Sequence, residues 1–432
     1  MHSEAQVLEN MRADWNRRAG EDAYYYVAFG RRGQEDEEFF STASDVVRAL
    51  SAELKRLRRR DRALEIGCGP GRLMRPMAPH FTEIHGVDVS DEMVRMAAER
   101  LRGTPNAHAH HGSGADLAMF ADETFDFVYS YAVFQHIPSR GVVFGYLREA
   151  RRVLKTGGIL RCQLNGLPPH AQQYDTWSGV RITPEEIRLF ALDEDFQLLA
   201  LEQIWTQYMW ITCRKAPAGW RAAPASGPAQ GTPAAIRSIT NALTGEAVAP
   251  ASGGMAMLSL WVENLPDGCD LNHLSATADG LPCRGIYIGE TAADGVSQVN
   301  VALPERIRTG LVPVEMHWLG KPLCPVKWVR LMPPGPLVPR IAAVTDGINL
   351  VSGERILSRS VKVGMTEVAD PRQFHAAVSG IEAGEVESFC TDPLMARYEF
   401  NFRLPAAIGS GPHELRIRLG KRGFAPVAIE VV

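Results

Sequence analysis

The stretch Ala63-Leu-Glu-Ile-Gly-Cys-Gly-Pro-Gly-Arg-Leu73 constrains this chain most, because an apolar strand runs there straight into a turn with alternate glycines. A helical segment follows, and the next strand, Gly86-Val-Asp88, ends on a carboxylate. Such a βαβ unit lets a nucleotide lie against bare backbone while the second-strand acid accepts hydrogen bonds from ribose hydroxyls. A dinucleotide fingerprint requires G-x-G-x-x-G. Counted from Gly67 the third glycine falls on Arg72, and counted from Gly69 it falls on Met74, so an NAD or FAD site is excluded. Glu65 stands just inside the strand end. A carboxylate there repels a pyrophosphate and attracts the ammonium group of an amino-acid-bearing nucleotide.

The run Glu65-x-Gly67-x-Gly69-x-Gly71 resembles the first motif of the class I methyltransferases that use S-adenosyl-L-methionine. The resemblance covers roughly residues 60 to 165, with the motifs in the family's order. It implies a doubly wound α/β fold, Rossmann-like with a seven-stranded sheet, and S-adenosylmethionine as cofactor. Glu65, Gly67, Cys68, Gly69 and Gly71 form the implied turn, and Asp88 matches the ribose-binding acid. Val89 and Met93 match positions lining adenine and ribose. Gly114-Ala-Asp-Leu117 matches the loop after the third strand, where Asp116 accepts from the adenine amino group and Leu117 offers backbone. Phe125 to Ser130 looks like the fourth strand, which puts Ser130 beside the transferable methyl, and Leu154 to Gly158 looks like the turn before the fifth.

The 432 residues suggest about three domains. A net charge of −4 gives no global attraction to nucleic acid or anionic membrane, and neither is expected as a partner. The basic run Lys55 to Arg60 closes a helical pattern with Val46, Val47, Leu50, Leu54 and Leu57 on one face, and reads as a solvated helix end. Seven cysteines without a C-x-x-C pair argue against a disulfide framework or zinc site. With neither a signal pattern nor a long apolar run, a soluble, cytoplasmic protein is expected.

Domain divisions follow composition. Residues 1–215 alternate strand and helix patterns, with Thr183-Pro-Glu-Glu186 announcing a capped helix and two closing strands behind it. Residues 216–235 are rich in Ala, Pro and Gly and read as a linker. Beyond it, short alternating segments repeat. Val299-Asn-Val-Ala-Leu-Pro304 with Ile307 and Gly310 recurs as Phe400-Asn-Phe-Arg-Leu-Pro405 with Ile408 and Gly411. The spacing of roughly one hundred residues is that of an immunoglobulin-sized domain, which predicts two all-β immunoglobulin-like sandwiches, 236–333 and 337–432. The copies resemble modules of the IPT/TIG sort, and self-association or a protein partner is an expected use for them.

Methyl transfer from a sulfonium is a nucleophilic substitution, so the protein positions the nucleophile and strips its water. The segment after the fourth strand, Ser130-Tyr-Ala-Val-Phe-Gln-His136, lacks the Pro-Pro-aromatic motif of amino-methylating DNA and glutamine methyltransferases and the Pro-Cys nucleophile of cytosine-C5 enzymes. It resembles the small-molecule branch instead. His136 is the candidate general base; a satisfied structural histidine or a wall of the cofactor pocket is the competing reading. Acceptor contacts are expected from Tyr26, Gln135, Tyr174 and Trp177, in the aromatic N-terminal region and the loop before Arg181. That region, with Trp15, reads equally as a lid or as a segment packed on the sheet. His108, His110 and His111 read as strand residues, and no metal site is expected. The function implied is transfer of a methyl group to an O, N or C nucleophile of a small molecule. The competing class is a non-catalytic S-adenosylmethionine-binding scaffold.

Overall fold

Seven strands build the first sheet in the computed structural model, which describes residues 4–28, 32–169, 174–220, 233–335, 337–348, 353–392 and 395–432. They are β1 (Arg62–Ile66), β2 (Glu83–Asp88), β3 (Ala107–His111), β4 (Phe125–Ser130), β5 (Leu154–Leu164), β6 (Phe196–Glu202) and β7 (Met209–Lys215). Their order is β3-β2-β1-β4-β5-β7-β6. The neighbours from β3 to β5 run parallel, while β7 is antiparallel to both β5 and β6. This is the Rossmann-like seven-stranded sheet expected from the sequence. All six residues of β4 are buried, because a parallel sheet is covered on both faces and its central strands read as continuous apolar runs. Alternate residues separate the two faces. Leu64, Val128 and Leu160 join one core, and Ala63, Phe127 and Ile159 the other.

Helices flank the sheet. α1 (Glu4–Ala28) breaks at Asp22, and α2 (Asp36–Ser41), α3 (Ser44–Glu53) and α4 (Met74–Met77) follow it. α5 (Asp91–Arg100), α6 (Arg140–Val153) and α7 (Pro184–Asp193) complete the set. Thr183 and Glu186 close the capping box read from the sequence at the start of α7. Leu50 of α3 packs with Met74, Met77 and Ala97 on one face, and Val142, Leu147 and Ala150 of α6 pack on the other.

The first β-rich module comprises β8 (Ala235–Asn241), β9 (Val248–Pro250), β10 (Met257–Glu263), β11 (Leu274–Ala278), β12 (Leu281–Ile288), β13 (Val296–Ala302), β14 (Gly310–Trp318), β15 (Lys321–Pro322) and β16 (Lys327–Met332). One sheet runs β8-β10-β13-β12 and the other β12-β11-β14-β16-β9, with β15 on β14. β12 serves both, its first residues pairing with β11 and its last with β13. Of the expected linker, residues 221–232 lie outside the described residues, and β8 already begins at Ala235.

This module and the α/β sheet form one compact unit, residues 4–17 and 43–335. Tyr287 of β12 pairs with Ala200 of β6, so the sheet continues across. One hydrophobic core runs from Leu64 to Leu331. The basic run is not uniformly solvated, contrary to its sequence reading. Arg56 is buried, donates to the Ile288 carbonyl at 2.8 Å, pairs with Glu53 and Glu290, and lies over the Tyr287 ring. The strand partner that buries it is far away in sequence, so a helix-end pattern could not reveal it.

The second unit contains residues 18–42 and 336–432. Its strands are β17 (Arg340–Asp346), β18 (Arg355–Ile356), β19 (Ser360–Thr366), β20 (Phe374–Val378), β21 (Ile381–Glu382), β22 (Val386–Asp392), β23 (Arg397–Arg403), β24 (Gly411–Leu419), β25 (Arg422–Gly423) and β26 (Val427–Val431). The sheets run β17-β19-β23-β22 and β18-β26-β24-β20-β21, with β25 on β24. Strand for strand this repeats the first module, with β21 and β22 standing where β12 is a single strand. The repeated segment read from the sequence falls on β13 and β23. Val361, Val363, Phe400 and Ile417 form its core, and Tyr24 stacks on Phe39 at 3.9 Å between centroids. No helix among the described residues is long and apolar enough to cross a membrane.

Candidate cofactor and acceptor site

The glycine-rich turn closes the carboxyl end of β1 and is pinned to β2 by backbone. Gly67 and Cys68 both donate to the Val87 carbonyl, at 2.8 and 3.0 Å, and Gly71 donates to Cys68. Gly67 has φ +74°, and a Cβ there would lie 2.3 Å from a Val133 methyl, so this position requires glycine on two counts. Asp88 ties the turn to α5. One carboxylate oxygen accepts from the Gly69 amide and the other from the Ser90 amide, each at 2.9 Å. Burial raises the Asp88 carboxyl above its ordinary range, against these two amides, which lower it. Ser90 then caps α5, accepting from Met93 at 3.1 Å.

Glu65 is 3% exposed, on the strand end directly before the turn. It accepts from the Tyr129 hydroxyl at 2.9 Å, and its register partner across the strand pair is Tyr129 itself. Burial pushes its carboxyl up to about 8, although Tyr129 and the Arg72 guanidinium pull it down. Arg72 is itself buried over the Tyr131 ring, and that burial lowers its pKa. A cationic group delivered beside Glu65 would restore its charge, so a buried acid and a cradle of bare backbone fit an ammonium-bearing nucleoside. Tyr129 and Arg72 were absent from the sequence-derived site. Strand register brings Tyr129 there, and no local signal carries register between distant strands.

The remaining expected positions divide. Met93 is buried and Val89 half-buried, and a Cβ on Gly114 would lie 2.7 Å from a Val89 methyl, which seats the loop after β3 against that residue. Asp116 is exposed, with one oxygen accepting from Ala118 at 3.1 Å. The Leu117 backbone is engaged within the protein. Its amide donates to Glu149 at 3.0 Å and its carbonyl accepts from Arg152 at 3.0 Å. The Ser130 hydroxyl donates to the Ile66 carbonyl at 2.8 Å, so it braces β1. Cys68 is buried, and burial raises its thiol well above the ordinary range.

At the carboxyl end of β4, a short turn, Phe134–His136, carries the candidate base. His136 is 6% exposed, with Nδ1 3.1 Å from the Trp177 carbonyl. A carbonyl only accepts, so Nδ1 carries the proton and Nε2 the lone pair; Nε2 lies 3.4 Å from the Gln135 amide nitrogen. The Gln135 Oε1 is buried, with no hydrogen-bond partner among the described residues. Trp15 packs edge-on against the His136 ring at 5.5 Å, and Trp177 lies at 6.2 Å. The loop is held by backbone. Gly179 donates to the Gln135 carbonyl at 2.7 Å, and a Cβ on Gly179 would fall 2.7 Å from that oxygen. Asp175 caps the turn through the Trp177 and Ser178 amides.

α1 joins these parts. The Asn16 amide group donates to Asp91 at 2.7 Å, and its carbonyl accepts from the Ser90 hydroxyl at 2.6 Å. Thr176 donates to Asp14 at 2.6 Å, and Met11 is buried in the core. The first half of α1 therefore bridges the turn after β2 and the loop carrying Trp177. Tyr174 is half-buried against the same core. Tyr26 belongs to the second unit, where its hydroxyl donates to Glu21 at 2.7 Å. His108 and His110 pack around His85, whose Nδ1 lies 3.0 Å from His110 Nε2.

Residues 64–162 match the family model of the methyltransferase domain. The chain is 34% identical over 111 residues to trans-aconitate 2-methyltransferase of Rhizobium rhizogenes, covering 25% of this chain and 40% of that protein. It is 32% identical over 101 residues to the ubiquinone biosynthesis O-methyltransferase of Cereibacter sphaeroides, covering 23% and 40%. The chain thus spans about two fifths of the length of these relatives. Among solved structures, Haemonchus contortus phosphoethanolamine N-methyltransferase 1 with phosphoethanolamine and S-adenosylhomocysteine aligns with a TM-score of 0.38 and 13% identity, over 50% of each chain. The stretch around the glycine-rich turn thus matches a methyltransferase domain, and S-adenosylmethionine is its cofactor.

Proposed function

We propose that this chain transfers the methyl group of S-adenosylmethionine to a nucleophilic O, N or C atom of a small-molecule acceptor. When bound, the cofactor supplies an electrophilic methyl group on a sulfonium centre. Glu65 would hold its ammonium group, the Gly67 to Gly71 turn its amino-acid chain, Asp88 its ribose hydroxyls, and Val89, Met93 and Asp116 its adenine end. His136 would take the acceptor's proton at Nε2, with the Trp177 carbonyl fixing the tautomer. Gln135 Oε1 would accept from the acceptor, and Trp15 and Trp177 would exclude water. The observation that carries this reading is the His136 ring, oriented by a backbone carbonyl beside a buried amide oxygen that has no partner among the described residues, within the same unit as the Glu65 turn.

The test is transfer from methyl-labelled cofactor into fractions of host metabolites. The expected result is a labelled product that His136→Asn reduces about 10²-fold, with affinity for S-adenosylhomocysteine unchanged. Tight cofactor binding with no labelled product from any fraction would favour the scaffold reading instead. The two β modules support an assignment as immunoglobulin-like sandwiches, 236–333 and 337–432, through their paired sheets of matching strand order.

A further inference from the structure

A cationic cavity of about 680 Å³ lies at the opposite end of the first sheet from the glycine-rich turn. It is bounded by the amino ends of β4, β5 and β6, the carboxyl end of antiparallel β7, and turns of the first β module at 265–269 and 288–291. Its volume falls within the range of small-molecule sites. Alongside Arg56, its lining includes Lys55, Arg58, Arg59, Lys155, Arg214 and Lys215, against the carboxylates Asp126, Asp267 and Glu290.

Several of these cations are already committed. Lys155 binds Asp126 at 2.9 Å and Asp61 at 3.3 Å, and Arg59 binds Asp61 at 2.9 Å. Arg56 and Arg214 share Glu290, and Lys215 donates to the Leu154 carbonyl at 2.7 Å. Lys55 and Arg58 have no carboxylate partner among the described residues, and both are exposed at the rim. The inner wall is different, with Leu57, Leu199, Leu265 and Ile288 and the Trp220 ring, which lies edge-on to His273 at 5.4 Å.

A simple anion would leave that apolar wall unused, and an apolar ligand would leave the rim cations unmatched. We propose that this cavity binds a phosphate-bearing metabolite with a planar ring, of nucleotide size, its phosphates on Lys55 and Arg58 and its ring against Leu199, Leu265 and Trp220. The site is separate from the cofactor turn, and its occupancy does not depend on the methyl-transfer reading. Positive rim charge in a low-dielectric recess concentrates such anions and makes their binding weaken with salt.

Titration calorimetry of the full chain at low salt tests this, with UTP and inorganic tripolyphosphate as magnesium-free probes. UTP shares no adenine with the cofactor. The expected result is one UTP per chain, weaker binding of tripolyphosphate, and at least a tenfold loss of UTP affinity in the Lys55→Glu, Arg58→Glu double variant. Affinity for S-adenosylhomocysteine in that variant should be unchanged, which shows that it is folded. Absence of UTP binding, equal UTP affinity in the double variant, or displacement of UTP by S-adenosylhomocysteine would overturn the site. Tripolyphosphate binding as tightly as UTP would overturn the ring-bearing class.

Discussion

At the scale of single residues, the two carboxylates proposed to hold the cofactor are placed by opposite means. Asp88 accepts from the Gly69 and Ser90 amides, and in the proposed site its further lone pairs face the ribose hydroxyls. Asp88→Ala is therefore expected to weaken S-adenosylhomocysteine binding about tenfold or more, through lost charge-assisted hydrogen bonds, and calorimetry reads this directly. Glu65 works through burial. With its carboxyl pushed up to about 8, from an ordinary value of 4.5, it is largely protonated at pH 7 in the cofactor-free protein. Its contribution to stability is fully present below about pH 4.5 and is lost as the pH rises through about 8. The melting temperature of the cofactor-free protein should fall between about pH 5 and 8 and level off above, and Glu65→Gln should flatten that slope. An ammonium group beside Glu65 favours the carboxylate, so cofactor binding at pH 7 should release a proton. Identical binding heats in phosphate and Tris buffers would contradict this.

At the scale of elements, the helix end at Arg56 and the first half of α1 have structural duties that their sequences conceal. Arg56 sits between Glu53 and Glu290 with no exposure of its side chain. Arg56→Met leaves two carboxylates without it, one of them buried, and is expected to destabilise the first unit by about 3 kcal/mol or more, seen in urea unfolding. Asn16 links α1 to the cap of α5 beside Asp88. Asn16→Ala removes those bonds and leaves Ser90 able to cap α5. Hydrogen exchange in residues 4–17 should rise by about tenfold, and acceptor turnover should fall more than cofactor affinity. An unchanged exchange rate would mean that the core contacts of Met11 alone hold the helix.

At the scale of the whole molecule, the division of cores sets the division of stability. The α/β sheet and the first β module share one core and a strand pairing, whereas the second module has a core of its own. A chain ending at residue 215 would bare the β6 edge and the buried Leu198 and Leu201, and is expected to aggregate, in contrast to the full chain. Phe400 is fully buried and stacked on Phe374 at 4.0 Å. Phe400→Ala should cost the second unit about 3–5 kcal/mol, lowering one calorimetric transition and leaving the transition raised by cofactor in place.

The glycine spacing, the acid at Glu65, Asp88 at the next strand end and the capping box at Thr183 were all legible in the chain itself. Each is a local requirement: a positive φ, a strand terminus, or an orphan amide to satisfy. The repeat that appears as β13 and β23 was legible for the same reason, because alternation and turns are written within a few residues. Register was not. Tyr129 reaches Glu65, Tyr287 buries Arg56, and Gly179 meets Gln135 only because strands and loops far apart in sequence come into contact. The sequence by itself determined which cofactor this chain's first sheet is built to hold, since that depends on backbone freedom and one charge at one turn. Tertiary structure alone decided which groups surround that charge, which loop orients His136, and that the first β module completes the core of the α/β sheet. Those outcomes depend on desolvation and packing between distant segments, which short-range pattern does not encode.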